Sequence, residues 1–433
     1  MLDLMKLAQQ MQGISQHLVQ EAEAAQGRVL LAQRLMQRAT EGQAVLTKMQ
    51  GDYRDRLAFT AAQPVEPLNT RMTLSAAPAA HTVIATDGSQ ISPSHHEIAY
   101  CYLINVGRVV LHYGQGCFPL LDSLPEVVYR PEDLYISRQW GISTEEWMGH
   151  RSTVTEVVGL AELGAAVHAF LQAKGSELGT AALQEPILNT DTLGLPSSDL
   201  PIAQPEPSAD LAAPILAMVD GSLIYWFLEA FPAEARDCIL PPILAAWDRL
   251  RQLGIPLVGY LSASRSSEGL NFLRLAACPF PQPNCQQHCD GQSEAAPCGR
   301  FMPLKDAVFW ATELELGQRS PFWRSSASIL DLYGDQPIYF CYLNVGPEVA
   351  RVELPEWVVA DAEQCEMALR MVLTQVQKGY GYPVALAEAH NQAVVRGGDR
   401  TRFFALLEQE MIRAGLKNVG TSYKEARKRG SIA

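Results

Sequence analysis

At 433 residues the chain exceeds one ordinary core and is expected to fold as about two or three structural units. Its 48% apolar and 19% charged residues belong to a globular protein, not a disordered or fibrous one. A formal charge of −13 argues against holding nucleic acid through overall charge, while leaving room for a locally basic channel. No apolar run approaches the ~18 residues of a membrane span. The opening Met1-Leu2-Asp3-Leu4-Met5-Lys6 lacks the parts of a signal peptide, so a soluble, cytoplasmic protein is expected.

Residues 1–60 contain no proline and are rich in Ala, Leu, Gln and Glu, which predicts an N-terminal helical arm. An Ala/Pro-rich stretch, residues 61–80, reads as a linker. Residues 82–90 then form a β-branched run ending in Asp87-Gly88-Ser89, a strand with Gly88 as the turn after it. Residues 97–106 and 108–113, separated by Gly107 alone, predict an antiparallel hairpin. Residues 117–142 read as irregular. A helix follows from Thr144 to about Lys174, capped by Ser143 or Thr144 with Glu145 and Glu146 in its first turn.

Residues 175–213 are rich in Pro, Ser and Ala and read as an insertion loop. The second Asp-Gly-Ser, Asp220-Gly221-Ser222, ends a strand over 215–220. An aromatic helix over 224–231 and a longer one over 233–253 come next. Strands are expected over 256–262, 336–346 and 348–354, with a cysteine-rich loop over 278–300 between the first two. Helices over 360–379, 383–396 and 399–414 precede a basic tail, 416–433. Strands early and helices late give an α/β fold with a mixed sheet.

Two carboxylates at the ends of neighbouring strands suit a divalent cation, so Asp87 and Asp220 are the leading metal ligands. Other aspartate chemistries fit less well. An adhesion-type metal site needs a second Ser where Ile91 and Ile224 stand, and a phosphoaspartate enzyme needs a second Asp where Ser89 and Ser222 stand. Glu156 and Glu162 lie six residues apart on one helix, about 120° around its axis, so only one of them faces a given site. On spacing alone His390 is an ordinary helical histidine and Tyr225 an ordinary core aromatic. Arg265, Arg319 and Arg351 flank strands and are candidate phosphate contacts.

Of nine cysteines, Cys101, Cys117, Cys238, Cys341 and Cys365 are scattered among apolar neighbours and read as small reduced hydrophobes. Cys278, Cys285, Cys289 and Cys298 cluster within 21 residues. Structural zinc, an iron–sulfur cluster and free thiols all fit that spacing.

Together the ordered motifs resemble the NurA family of DNA-end-processing nucleases. They are Thr86-Asp87-Gly88-Ser89, a helix with Arg151 and Glu156, Val219-Asp220-Gly221-Ser222-Leu223 with Tyr225, Arg351-Val352-Glu353-Leu354-Pro355, and Gly381-Tyr382-Pro383 with Ala389-His390. The resemblance places a nuclease domain over residues 81–415 with a ribonuclease H-like core. It implies a manganese-dependent nuclease, magnesium being the substitute ion, with 5′–3′ exonuclease and single-strand endonuclease activity on DNA ends. It further implies a homodimer that works with a HerA-type hexameric helicase in double-strand break resection. Asp87, Asp220, Glu156 and His390 then match the metal site, with Glu162 the fallback for Glu156. Tyr225 matches the active-site tyrosine, positioning the phosphate or stacking on a terminal base. A silent scaffold subunit and a small-nucleotide phosphoesterase are the competing readings.

Overall fold

The computed structural model describes residues 4–93, 99–173, 213–289 and 296–415. The basic tail and all but residue 213 of the expected insertion lie outside these described residues. The principal strands are β1 (His81–Ile91), β2 (Tyr102–Tyr113), β3 (Leu120–Val128), β4 (Ile215–Asp220), β5 (Leu257–Leu261), β6 (Ile338–Asn344) and β7 (Val349–Pro355). The principal helices are α1 (Leu4–Glu41), α2 (Gln43–Tyr53), α3 (Thr144–Ala173), α4 (Ala233–Gln252), α5 (Glu268–Ala277), α6 (Cys285–His288), α7 (Ala362–Lys378), α8 (Val384–Ala393) and α9 (Gly397–Arg413). Mixed α/β architecture follows, with strands of both orientations in the sheet.

The chain divides into two compact units. One comprises Met1–Ser75, Gly221–Trp226 and Gly259–Ala362. Here β6 and β7 pair antiparallel from Ile338↔Pro355 to Asn344↔Val349, and β7 pairs with the end of β5 through Arg351↔Leu261. The second half of α1 buries Ala32, Leu35, Met36 and Ala39 in a core with Phe272, Leu273, Trp310 and Trp323. These four fall at positions i, i+3, i+4 and i+7, so they share the one stripe of α1 that meets the core.

The other unit comprises Ala76–Asp220, Phe227–Val258 and Glu363–Ala433. Its strand order is β4-β1-β2-β3, with β1 parallel to β4 and antiparallel to β2. Helix α3 packs on β1 and β2 and against α4, while α8 packs on β1 and β2. By length and composition α3 is apolar enough to cross a membrane, yet it buries Val157, Leu160, Leu163 and Val167 within this unit. Its first turn is capped as expected, the Glu146 N–H donating to Ser143 Oγ at 3.1 Å.

Three local expectations are corrected. Gly107 is no turn: β2 runs unbroken through it, and it pairs with Asp87 across the β1–β2 ladder. Gly88 is no turn either, since β1 continues through Asp87, Gly88 and Ser89 to Ile91. In both cases glycine serves the close approach of another element, the other use of glycine within a strand. Residues 117–142 are not irregular, because Leu120–Val128 is a strand with alternating burial, and Pro125 is tolerated at this end of the strand order. The second Asp-Gly-Ser does behave as expected, with β4 ending at Asp220 and Gly221 turning at φ +122°.

Candidate active site

The β1–β4 register ends at Thr86↔Val219, so Asp87 and Asp220 follow at the same end of two parallel neighbours. This is where a sheet of this kind presents its chemistry. Helix α3 brings in the third carboxylate. Thr86 Oγ1 donates to the Glu156 carbonyl at 2.9 Å, tying the helix to β1 one residue before Asp87. One turn earlier on α3, Ser152 donates to Glu156 Oε1 at 2.9 Å. A Cβ on Gly88 would overlap the Glu156 carboxylate and the Ser152 hydroxyl, so only glycine lets this carboxylate lie on the strand.

Helix α8 delivers His390. Pro383 stands at its N-cap, and its last carbonyl, that of Ala393, accepts from Ser89 Oγ on β1 and from Asn105 Nδ2 on β2, the latter at 2.7 Å. A side chain on Gly107 would run into the backbone of Ala389 and Ala393. Held in this way, His390 Nδ1 donates to Asp87 Oδ2 at 2.8 Å, with 65% of the histidine side chain and 20% of the aspartate side chain exposed. The remaining ring nitrogen, Nε2, belongs to a largely solvent-facing imidazole.

The electrostatics express the crowding of acids. Burial pushes Glu156 up to about 8; the Ser152 hydrogen bond opposes this, while the charges of Asp87 and Asp220 add to it. Asp220 is also raised, first by desolvation of its carboxyl, then by Asp87, against a hydrogen bond from Tyr382 and the pull of His390. Glu162 lies in a different setting: burial raises it and the cations Arg249 and Arg108 lower it. The structure therefore brings Glu156, not Glu162, to the two aspartates. Ser152 and Tyr382 went unnoticed as orienting groups in the sequence. Ser152 was visible only as a hydroxyl four residues before an uncertain glutamate, and Tyr382 only as part of a Gly-Tyr-Pro motif.

Tyr225 belongs to the other unit. It precedes a short 3₁₀ helix, Trp226–Ala230, where an α-helix was expected, and its N–H donates to the Tyr333 hydroxyl at 2.8 Å. With 6% of its surface exposed, its ring offers no open face for a base to stack upon. Arg319 and Arg351 are corrected too. Arg319 grips Glu66 through two nitrogens at 2.6 and 2.9 Å, and Arg351 bonds both Glu268 and Glu353 at 2.7 Å. Both guanidiniums are buried and committed to carboxylates; of the three arginines Arg265 alone is exposed.

In that same unit Cys278, Cys285, Cys289 and Cys298 line one cavity. Burial raises the Cys278 thiol, and the other three thiols raise it further. As the side chains are placed, no group of three or more His, Cys, Asp or Glu among the described residues could hold a metal ion.

Comparison with known proteins gives a family. Among solved structures the chain is similar to the NurA nuclease from Sulfolobus solfataricus, with 12% sequence identity and a TM-score of 0.42 over 84% of this chain and 92% of that one. No curated protein matches. The model of the NurA domain matches residues 81–395, a span that takes in Asp87, Glu156, Asp220 and His390. The chain thus belongs to the NurA-domain family.

Proposed function

We propose that this chain is a metal-dependent DNA nuclease that hydrolyses phosphodiester bonds at DNA ends during double-strand break repair. The observation that carries the reading is the meeting of Asp87, Glu156 and Asp220 from three separate elements, the Asp87 and Asp220 charges raising Glu156 and the Asp87 charge raising Asp220, with His390 bonded to Asp87. Acids gathered at such electrostatic expense favour a cation, and an oxygen-rich donor set with one imidazole suits manganese or magnesium. As placed these side chains do not form a ready-made metal group, so Asp87, Glu156 and Asp220 would hold the ion by turning their carboxylates toward it. When bound, a divalent cation polarises a phosphoryl oxygen and generates hydroxide from water at neutral pH.

The chain's own residues prepare that chemistry. Ser152 and the bare Gly88 fix one Glu156 oxygen, and Tyr382 orients Asp220. His390, fixed through Nδ1 on Asp87, either completes the ligand set or moves a proton at Nε2. A ribonuclease H-like core is part of the proposal. It is supported by the order β3-β2-β1-β4, antiparallel through β1 and then parallel, with β4 extended by the bond from Ala217 N–H to the Pro256 carbonyl at 2.9 Å. Family membership supports the further expectation of a cytoplasmic homodimer with 5′–3′ exonuclease and single-strand endonuclease activity, working with a HerA-type helicase.

The deciding experiment is digestion of end-labelled single- and double-stranded DNA with manganese, magnesium or chelator, comparing the wild type with Asp87→Asn and Asp220→Asn. Manganese-dependent digestion lost in both folded variants supports the nuclease. A wild type inert on DNA even beside its helicase points to the scaffold. Cleavage of nucleotides that single-stranded DNA cannot inhibit points to the phosphoesterase.

A further inference from the structure

The cysteine cavity is built from three separate turns of chain. Cys278 is the C-cap of α5. Cys285 and Cys289 bracket α6, the Cys289 N–H donating to the Cys285 carbonyl at 3.0 Å, so this single helical turn sets their side chains on one side. Cys298 sits in the 3₁₀ turn Pro297–Gly299. All four line one cavity, none is in a disulfide, and Cys285 and Cys298 are 7% and 6% exposed. Nearby His288 is engaged with Phe280, ring centroids 4.2 Å apart.

Cysteine as a small hydrophobe explains one or two such positions but not the convergence of four from three turns. The charged neighbour argues further. Arg274, 2% exposed, directs Nη2 at Cys298 Sγ at 3.8 Å while its guanidinium lies 3.8 Å from the Phe59 ring centre. A buried guanidinium offering N–H to sulfur suits a thiolate cluster, because four thiolates around one divalent ion leave a net negative charge to be offset. Thiolates select zinc over the oxygen-preferring cations suited to the carboxylate site.

We propose that Cys278, Cys285, Cys289 and Cys298 form a structural zinc site that fastens α6 and the 3₁₀ turn Pro297–Gly299 to the end of α5. As placed the four thiols form no metal-holding group, so binding would require the cysteine side chains to turn toward the ion. This site is independent of the nuclease reading, and its test measures metal rather than DNA cleavage.

The full chain is purified from zinc-supplemented cells without chelator, and its metals are determined by mass spectrometry. About one zinc per chain is expected in the wild type and in Asp87→Asn, and none in the double variant Cys285→Ser/Cys298→Ser. Should the double variant fail to fold, exchange of cobalt(II) into the wild-type protein keeps the test open, because a tetrahedral thiolate site gives intense sulfur-to-cobalt charge-transfer absorption. Zinc far below one per chain, zinc retained by a folded double variant, cobalt without thiolate bands, or iron with the visible absorption of a cluster would each overturn the assignment.

Discussion

Gly107 stands opposite Asp87 in the β1–β2 ladder, and the backbone of α8 occupies the space a side chain there would need. The same missing Cβ therefore seats the helix that carries His390 against β2, beside the strand that carries Asp87. Gly107→Ala should push α8 outward, with an overpacking penalty of about 1–3 kcal/mol. Displacing His390 by even about 1 Å should lower DNA cleavage on the order of 10²-fold. Thermal unfolding and cleavage rates check this; a variant with wild-type values in both would mean that α8 is not held by this contact.

His390 itself should separate activity from stability. Its side chain is 65% exposed, so His390→Ala should change stability by no more than about 0.5 kcal/mol. Cleavage should fall roughly 10²–10⁴-fold if the imidazole moves a proton. Partial rescue by added imidazole would distinguish proton transfer from metal ligation, where manganese affinity would drop instead.

The buried glutamate predicts a pH dependence with a definite sign. Glu156 is raised from its ordinary 4.5 to about 8, so between those values the folded chain keeps a proton that the unfolded chain releases. Stability in chelator should therefore decline as pH rises from about 4.5 to about 8 and then level off. Glu156→Gln should flatten that decline. Manganese affinity should rise over the same interval, because the cation needs the ionised form. Denaturant midpoints measured across this range, with and without metal, test both statements. An unchanged slope in Glu156→Gln would remove Glu156 as the source.

Arg351 is a structural residue, not a phosphate contact. It is 2% exposed, bonded to Glu268, Glu353 and Ser266, and its guanidinium lies 3.6 Å from the Phe340 ring centre. Glu353 in turn accepts from Ser222 Oγ and the Leu223 N–H at 2.9 and 2.7 Å, so the network reaches the residues that follow Asp220-Gly221. Arg351→Met strands two buried carboxylates and should destabilise by about 3–5 kcal/mol. Equilibrium unfolding reads this directly. Near-wild-type stability combined with weakened DNA binding would restore the phosphate-contact role.

Much of the architecture was legible because it rests on local signals. The long helices, the β-branched strand before Asp87 and the strand ending at Asp220 all announce themselves by periodicity and caps. What was missed depends on tertiary contact. Gly88 and Gly107 carry the composition of turns, and nothing local reveals that Glu156 and α8 need the space over them. Spacing reduced Glu156 and Glu162 to a choice but could not make it, since the deciding neighbours, Asp87 and Gly88, are remote in sequence. Arg351 and Arg319 look like any strand-flanking arginines until Glu268, Glu353 and Glu66 are seen beside them. Leu120–Val128 hid its alternation behind a proline and two acids.

The Ala393 carbonyl accepts hydrogen bonds from both Ser89 and Asn105, so the far end of α8 is fastened to the first two long strands of its unit. Asp87 and His390 are 303 residues apart in sequence. During synthesis the early strands leave the ribosome long before their latch exists, and the aspartate has no histidine until residue 393 has emerged. A nascent or prematurely terminated chain that lacks α8 consequently cannot bring the imidazole to Asp87.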